Sequence, residues 1–129
     1  MSITLQVQKA IIRKDDKYLI LLRSPKSNPF PEHWDFPGGK LESGESPSDG
    51  IIREAKEETR LDIIPDRVVF EYEMTINNRP VKFFVYSIKS FSGQVALSYE
   101  HSAFKWATKD EILALEKIEP YLVAYLQSI

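Results

Sequence analysis

The sequence predicts an α/β fold, in which β-rich segments surround one amphipathic helix and two shorter helices close the chain. Three observations predict it. Apolar runs of strand length are joined by polar turns, at Lys14-Asp15-Asp16-Lys17 and at Ile76-Asn77-Asn78-Arg79-Pro80. A helix-periodic stretch opens at Ser46-Pro47-Ser48-Asp49, and helix starts recur at Thr108-Lys109-Asp110-Glu111 and at Pro120. Mixed strands around a central helix, with helices at the end, make an α/β/α sandwich. The 129 residues, 43% of them hydrophobic, are enough for one domain over residues 1–129 with a core of its own.

The elements follow in order. Ile3–Ile12 and Tyr18–Arg23 are apolar-rich strands, and Pro25, Asn28, Pro29 and Pro31 make Ser24–His33 a loop. Trp34-Asp35-Phe36 is a short strand that runs into a Pro37-Gly38-Gly39 turn. The helix after it extends to Thr59: Ser46 caps it, Pro47 suits its first position, and Asp49 completes a capping box. Only Gly50 opposes it, at about 1 kcal/mol. Val68–Thr75 and Val81–Ile88 form a second hairpin, and Gln94–Leu97 and Ala103–Ala107 are further strands. Thr108–Leu115 is a short helix, and Pro120–Gln127 a last one with Tyr121, Leu122, Ala124, Tyr125 and Leu126 on its apolar side.

Composition narrows the function. The chain has no cysteine, so disulfides, thiolate catalysis and cysteine zinc sites are excluded. No run approaches eighteen apolar residues, so no membrane span is expected. The opening MSITLQVQKA lacks the charged and apolar regions of a signal peptide, and a cytoplasmic location is the expectation. A formal net charge of −2 gives no bulk attraction to nucleic acid, and no stable nucleic-acid binding is indicated. A phosphate substrate would be held locally, by arginine, lysine and metal. Oligomeric state, monomer or homodimer, is left open.

The chemistry concentrates on the central helix. At 100° per residue Glu54, Glu57 and Glu58 share one arc, with Arg53 on its edge, while Ile51, Ile52, Ala55 and Thr59 form a core-facing arc. Carboxylates at i,i+3 and i,i+4 have Cβ atoms about 5–6 Å apart. In a cleft of effective dielectric near 20, each repulsion approaches about 3 kcal/mol. A divalent cation would relieve it, and oxygen donors suit Mg²⁺, Mn²⁺ or Ca²⁺ rather than zinc. Such a face is also compatible with plain solvation, softened by Lys56 and Arg60. Gly38 and Gly39 let the backbone approach a ligand, with a carbonyl free for a metal, or simply make a tight turn.

Gly39, Glu45, Arg53, Glu54, Glu57 and Glu58 follow the spacing G-x5-E-x7-R-E-x-x-E-E, which closely resembles the signature of the Nudix hydrolases, MutT-like members included. Such a coincidence arises about once in 10⁷ random starts. The resemblance implies a Nudix-type α/β/α sandwich with a mixed sheet and a central catalytic helix. It implies hydrolysis of a diphosphate linkage in a nucleoside diphosphate-X substrate by water attack at phosphorus, with Mg²⁺ as cofactor and Mn²⁺ as substitute. By similarity, Glu57 and Glu58 are the principal metal ligands, Glu54 a further ligand or the general base, and Gly39 a carbonyl donor. Glu45 supports the metal shell, and Arg53 orients the glutamates.

Outside the motif, Glu100 stands where related enzymes often carry another carboxylate, and is either a metal ligand or base, or an ordinary loop residue. Arg23 is a phosphate clamp or a solvated strand-end arginine. Trp34 and Phe36, beside Gly38, are walls of a base-stacking pocket or members of the core. His33 and His101 read as surface residues. Two departures stand out. Arg60 replaces the usual glycine and would cost about 1–2 kcal/mol in a left-handed helix end. The Lys117-Ile118-Glu119-Pro120 segment lacks the asparagine with which MutT-like enzymes read oxidised guanine. The alternative function is a Nudix-fold nucleotide-binding or regulatory module without turnover.

Overall fold

The computed structural model describes residues 3–129. Its strands are β1 (Leu5–Ile11), β2 (Arg13–Lys14), β3 (Lys17–Arg23), β4 (Trp34–Asp35) and β5 (Gly38–Lys40); α1 (Pro47–Thr59) follows. Then come β6 (Asp62–Ile76), β7 (Arg79–Ser92), β8 (His101–Ala107), α2 (Lys109–Leu113) and α3 (Pro120–Ser128). No helix among the described residues is long and apolar enough to cross a membrane.

The strands divide between two sheets. One runs β5-β1-β7-β6 and is mixed, because β1 and β7 pair in parallel, with Val7 opposite Phe83, while the other pairs are antiparallel. The second is antiparallel and built on β3, which pairs with β2, β4 and β8. Alternation along β1 sends its side chains to opposite faces. Val7 and Ile11 join a core cluster with Val81, Phe83 and the α3 residues Tyr121 and Leu122. Ala10 and Ile12 join another with Ile51 and Ala55 of α1. Helices therefore cover both sides of the mixed sheet, as an α/β/α sandwich requires. Ile51 is fully buried, which contributes about 1.5–3 kcal/mol over exposure.

Local chemistry explains the helix limits. Ser46 Oγ accepts from the Asp49 amide at 3.2 Å, but no return bond from the Asp49 side chain is among the described contacts, so only half the expected box forms. The full capping box is on α2, between Thr108 and Glu111. Arg60 closes α1 at φ 66°, in the left-handed region, with its amide bonded to the Lys56 carbonyl.

Several expectations need correction. β6 and β7 are longer than the hairpin read from sequence, because β-bulges near Pro65, Arg67 and Phe70 break the alternation that marks a strand. Gln94–Leu97 is not a strand. It packs Val95 and Leu97 on the second cluster and bonds the Ala96 amide to the Thr59 carbonyl at the helix end. Ile52, placed on the core arc, is 38% exposed.

Candidate active site

The acidic helix meets the β5 strand at one glycine pair, where the backbone forces the first glycine and a side chain of the helix crowds the second. At Gly38, φ is 147°, and an added Cβ would collide with the Gln8 carbonyl oxygen. At Gly39 an added Cβ would lie 2.8 Å from the Glu54 carboxyl carbon. The helix-breaking Gly50 also has a packing reason, since a side chain there would strike Leu41 and come 3.1 Å from Glu45 Oε1. The loop before α1 thereby folds back and brings Glu45 to the helix face.

Arg53 organises that face. Its Nε and one terminal nitrogen donate to Glu45 at 2.7 and 3.0 Å, a bidentate pair. Its other terminal nitrogen donates to Glu54 and Glu57, each at 3.1 Å, while the nitrogen bonded to Glu45 also donates to the Lys40 carbonyl at 3.2 Å. The Arg53 guanidinium holds the Glu45 carboxyl down at about 2, and the arginine is shifted up in turn. Glu58 is buried at 3% exposure and accepts from the Gly38 amide at 2.9 Å.

Burial drives two of these carboxyls the other way. Desolvation raises Glu54 against the pull of Arg53, with Glu57 adding to the rise. Desolvation raises Glu58 further, with Asp35 and Glu54 adding like charge while Lys9 and the Gly38 amide oppose it. Two desolvated carboxyls side by side are a donor set whose charged form a divalent cation would stabilise. Among the described residues, no three carboxylate or histidine side chains converge closely enough to enclose an ion unaided. Glu57, 54% exposed at its side chain, is turned to Arg53. An ion here would draw on Glu54 and Glu58 together with backbone oxygen and water, which suits a cation that keeps part of its hydration.

Gly38, Gly39, Glu54 and Glu58 line one end of a cavity of about 570 Å³. Lys40 and Glu100 line it as well, as do Asn77 and Arg79 from the tip of the β6–β7 hairpin. Trp34 and Phe36 do not line it, which corrects their assignment to a stacking wall. Phe36 is fully buried and packs edge-on to Tyr121, and Trp34 packs on the core beneath Lys105. Arg23 lines the cavity, but its guanidinium is turned to Asp35 at 3.4 Å and to Glu119 at 3.7 Å rather than outward as a phosphate clamp.

Sequence reading missed the group that Arg23 joins. Lys9, 3% exposed, donates to both Asp35 oxygens at 2.9 and 3.2 Å. The Tyr121 hydroxyl donates to Asp35 at 2.9 Å and accepts from the Phe36 amide at 2.9 Å. Burial would raise the Asp35 carboxyl, yet Lys9, helped by the neighbouring Glu119 carboxyl and then by Arg23, holds it at about 2. Burial and the neighbouring Asp35 charge push Glu119 well up. His101, read as a surface residue, is 7% exposed, and burial lowers its imidazole to about 4. The available signal was parity: Lys9 shares the inward face of β1 with Val7 and Ile11.

Residues 6–127 match the family model described as NUDIX domain. The chain belongs to the Nudix family. It is 28% identical to the CTP pyrophosphohydrolase of Escherichia coli (strain K12), over 84% of this chain and 79% of that protein. It is 29% identical to a MutT-like protein of Streptomyces ambofaciens, over 98% of this chain and 77% of that one. Among solved structures, the MutT protein from Methanosarcina mazei Go1 superimposes with a TM-score of 0.90 at 28% identity, covering 98% of this chain and 93% of that one. As a Nudix hydrolase the chain acts on acid anhydrides, on small nucleotide substrates with a diphosphate linkage, in a family that generally requires divalent metal ions. Within this Nudix helix, Arg60 at the usual glycine position leaves every motif carboxylate in place, because the helix closes normally behind it.

Proposed function

We propose that this Nudix hydrolase is a Mg²⁺-dependent pyrophosphohydrolase of nucleoside triphosphates or modified nucleotides, with Mn²⁺ as an alternative ion. The observation that carries the reading is Arg53 joined at once to Glu45, Glu54 and Glu57, beside a buried Glu58 that with Glu54 lines a cavity of nucleotide size. The similarity to a CTP pyrophosphohydrolase and to an 8-oxo-dGTP diphosphatase supports nucleoside triphosphates as the first class.

In this reading Glu58 and Glu54, with the Gly39 carbonyl, would hold the ion, and Glu57 and Glu100 would be further carboxylate ligands. When bound, the ion neutralises bridging phosphate oxygens and lowers the pKa of water. Glu54 serves either as a further ligand or as the general base that takes the proton of the attacking water. Arg53 keeps Glu54 aligned, and Glu45 fixes Arg53. Lys40 and Arg79, which make no ion pair among the described residues, offer charge to the leaving phosphates. Water attack cleaves one phosphorus–oxygen bond of the anhydride and releases two phosphate-bearing products.

The test is a panel of nucleoside triphosphates, dinucleoside polyphosphates, ADP-ribose and nucleotide sugars with Mg²⁺ and with Mn²⁺, following pyrophosphate, phosphate and nucleoside monophosphate. Metal-dependent release of nucleoside monophosphate and pyrophosphate from triphosphates is expected. No turnover of any member would overturn the reading in favour of a binding module.

A further inference from the structure

The chain changes sheets between β4 and β5, and Phe36 and Pro37 belong to neither strand. Pro37 has no amide hydrogen, and Gly38 after it sits at φ 147°. Strand pairing alone does not hold such a crossing, yet its place matters. The Gly38 amide donates to Glu58, and Gly39, whose carbonyl the reading above gives to the ion, comes next. Three neighbours hold the crossing. The Ala10 amide donates to the Pro37 carbonyl at 2.8 Å, and the Tyr121 hydroxyl accepts from the Phe36 amide at 2.9 Å. The third is Lys9, whose Nζ donates to Asp35 Oδ1 at 2.9 Å and Oδ2 at 3.2 Å, and reaches the Phe36 carbonyl at 3.5 Å.

Lys9 stands opposite Gly38 in the β1–β5 register, and its ammonium grips the chain just ahead of that glycine. It also lines the cavity. An ammonium has three hydrogens, and the two Asp35 oxygens and the Phe36 carbonyl take all of them, so none is left for a phosphate. Stability does not demand a lysine here. Its inward neighbours on β1, Val7 and Ile11, are apolar, and well-packed apolar residues often replace a buried ion pair without loss. An apolar side chain at this position could not bond Asp35 and the Phe36 carbonyl together. We propose that Lys9 is a positioning residue for the hydrolysis, which through Asp35 and the Phe36 carbonyl sets where Gly38 and Gly39 meet Glu58 and the ion. This rests on the metal-dependent hydrolase reading above.

The test compares wild type with Lys9→Met combined with Asp35→Asn, which removes the pair without stranding a charge, and with Leu126→Ala. Leu126 is fully buried on α3 and outside the cavity lining, so its truncation weakens the fold without touching the crossing. All three are measured at a temperature where each is folded. In the double variant Mg²⁺ alone, titrated by calorimetry, should bind about 10–100-fold more weakly, and kcat should fall by a similar factor with KM little changed. In the metal-free protein its Gly38 amide should exchange hydrogen faster relative to the amides of β7. Leu126→Ala should keep Mg²⁺ affinity, kcat and relative Gly38 exchange close to wild type. Wild-type Mg²⁺ affinity in the double variant would overturn the positioning role, and so would equal losses in Leu126→Ala, because stability alone would then explain them. No Mg²⁺ binding and no turnover in the wild type, with faster Gly38 exchange in the double variant, would instead sink the hydrolase reading and leave the hold of Lys9 on the crossing.

Discussion

Arg53 Nε lies 2.7 Å from Glu45 Oε2, and through this carboxylate the loop before α1 fixes the arginine that holds two further motif glutamates. Because Glu45 comes from outside the helix, it sets the guanidinium plane independently of the helix side chains. Lysine, a point charge without the planar fork, cannot serve four carboxylates in this way.

Arg53→Lys and Glu45→Gln should therefore both lower kcat by about 10–100-fold, the range typical of groups that orient metal ligands. The pH dependence has a definite sign. Glu45 titrates at about 2 in the folded chain against 4.5 as its ordinary value, so its contribution to stability is present above 4.5 and fades as pH falls toward 2. Thermal melts of wild type and Glu45→Gln should differ at pH 7 and converge near pH 2. A gap that persists unchanged in acid would contradict the ion pair.

Gly38 and Gly39 should fail differently. A Cβ at Gly38 meets the Gln8 backbone at a φ of 147°, so Gly38→Ala should destabilise the protein by about 2–3 kcal/mol or more. A Cβ at Gly39 meets only the end of the Glu54 side chain, which can swing away. Gly39→Ala should keep most of its stability while losing divalent-ion affinity and turnover. Urea denaturation beside metal titration separates the two. Equal loss of stability in both variants would refute the contact assignment.

The motif helix was legible because its caps, its carboxylate spacing and its buried Ile51 and Ala55 all lie within one continuous segment. The inward cluster was not. Asp35 lies far along the chain from Tyr121 and Glu119, and only contacts made in the folded state join them: the Tyr121–Asp35 bond at 2.9 Å, between residues 86 positions apart, and Arg23 between Asp35 and Glu119. Phe36 was ambiguous for the same reason, since an aromatic beside a glycine turn looks alike in a ligand pocket and in a core. The length of β6 was hidden by its bulges, where two residues oppose one and the alternation lapses.

Glu57 and Glu58 should separate catalysis from folding. Glu57 is half-exposed, and Glu57→Gln should leave the melting temperature nearly unchanged while turnover falls by about 10²-fold or more. Glu58 is buried beside Asp35 and Glu54, so Glu58→Gln removes crowded like charge and should hold or raise the metal-free melting temperature. It should also abolish stabilisation by added Mg²⁺, which wild type should show. Mg²⁺ stabilising both proteins equally would remove Glu58 from the ion site.

Lys9 and Asp35 form the one buried ion pair whose loss the fold should feel most. Removing Lys9 alone strands Asp35, so Lys9→Met should destabilise by about 3–5 kcal/mol, and Lys9→Met with Asp35→Asn should recover a large part of that. Acid should reproduce the effect in the wild type. Asp35 titrates at about 2 when folded against 3.8 ordinarily, so its stabilisation, about 2 kcal/mol, is complete above 3.8 and disappears as pH falls through 2. Below that range the protonated carboxyl no longer balances Lys9, and the buried ammonium is left unpaired. Denaturant melts from pH 5 to 2 should therefore fall more steeply for wild type than for the double variant. Parallel slopes for the two would show that the pair does not govern acid stability.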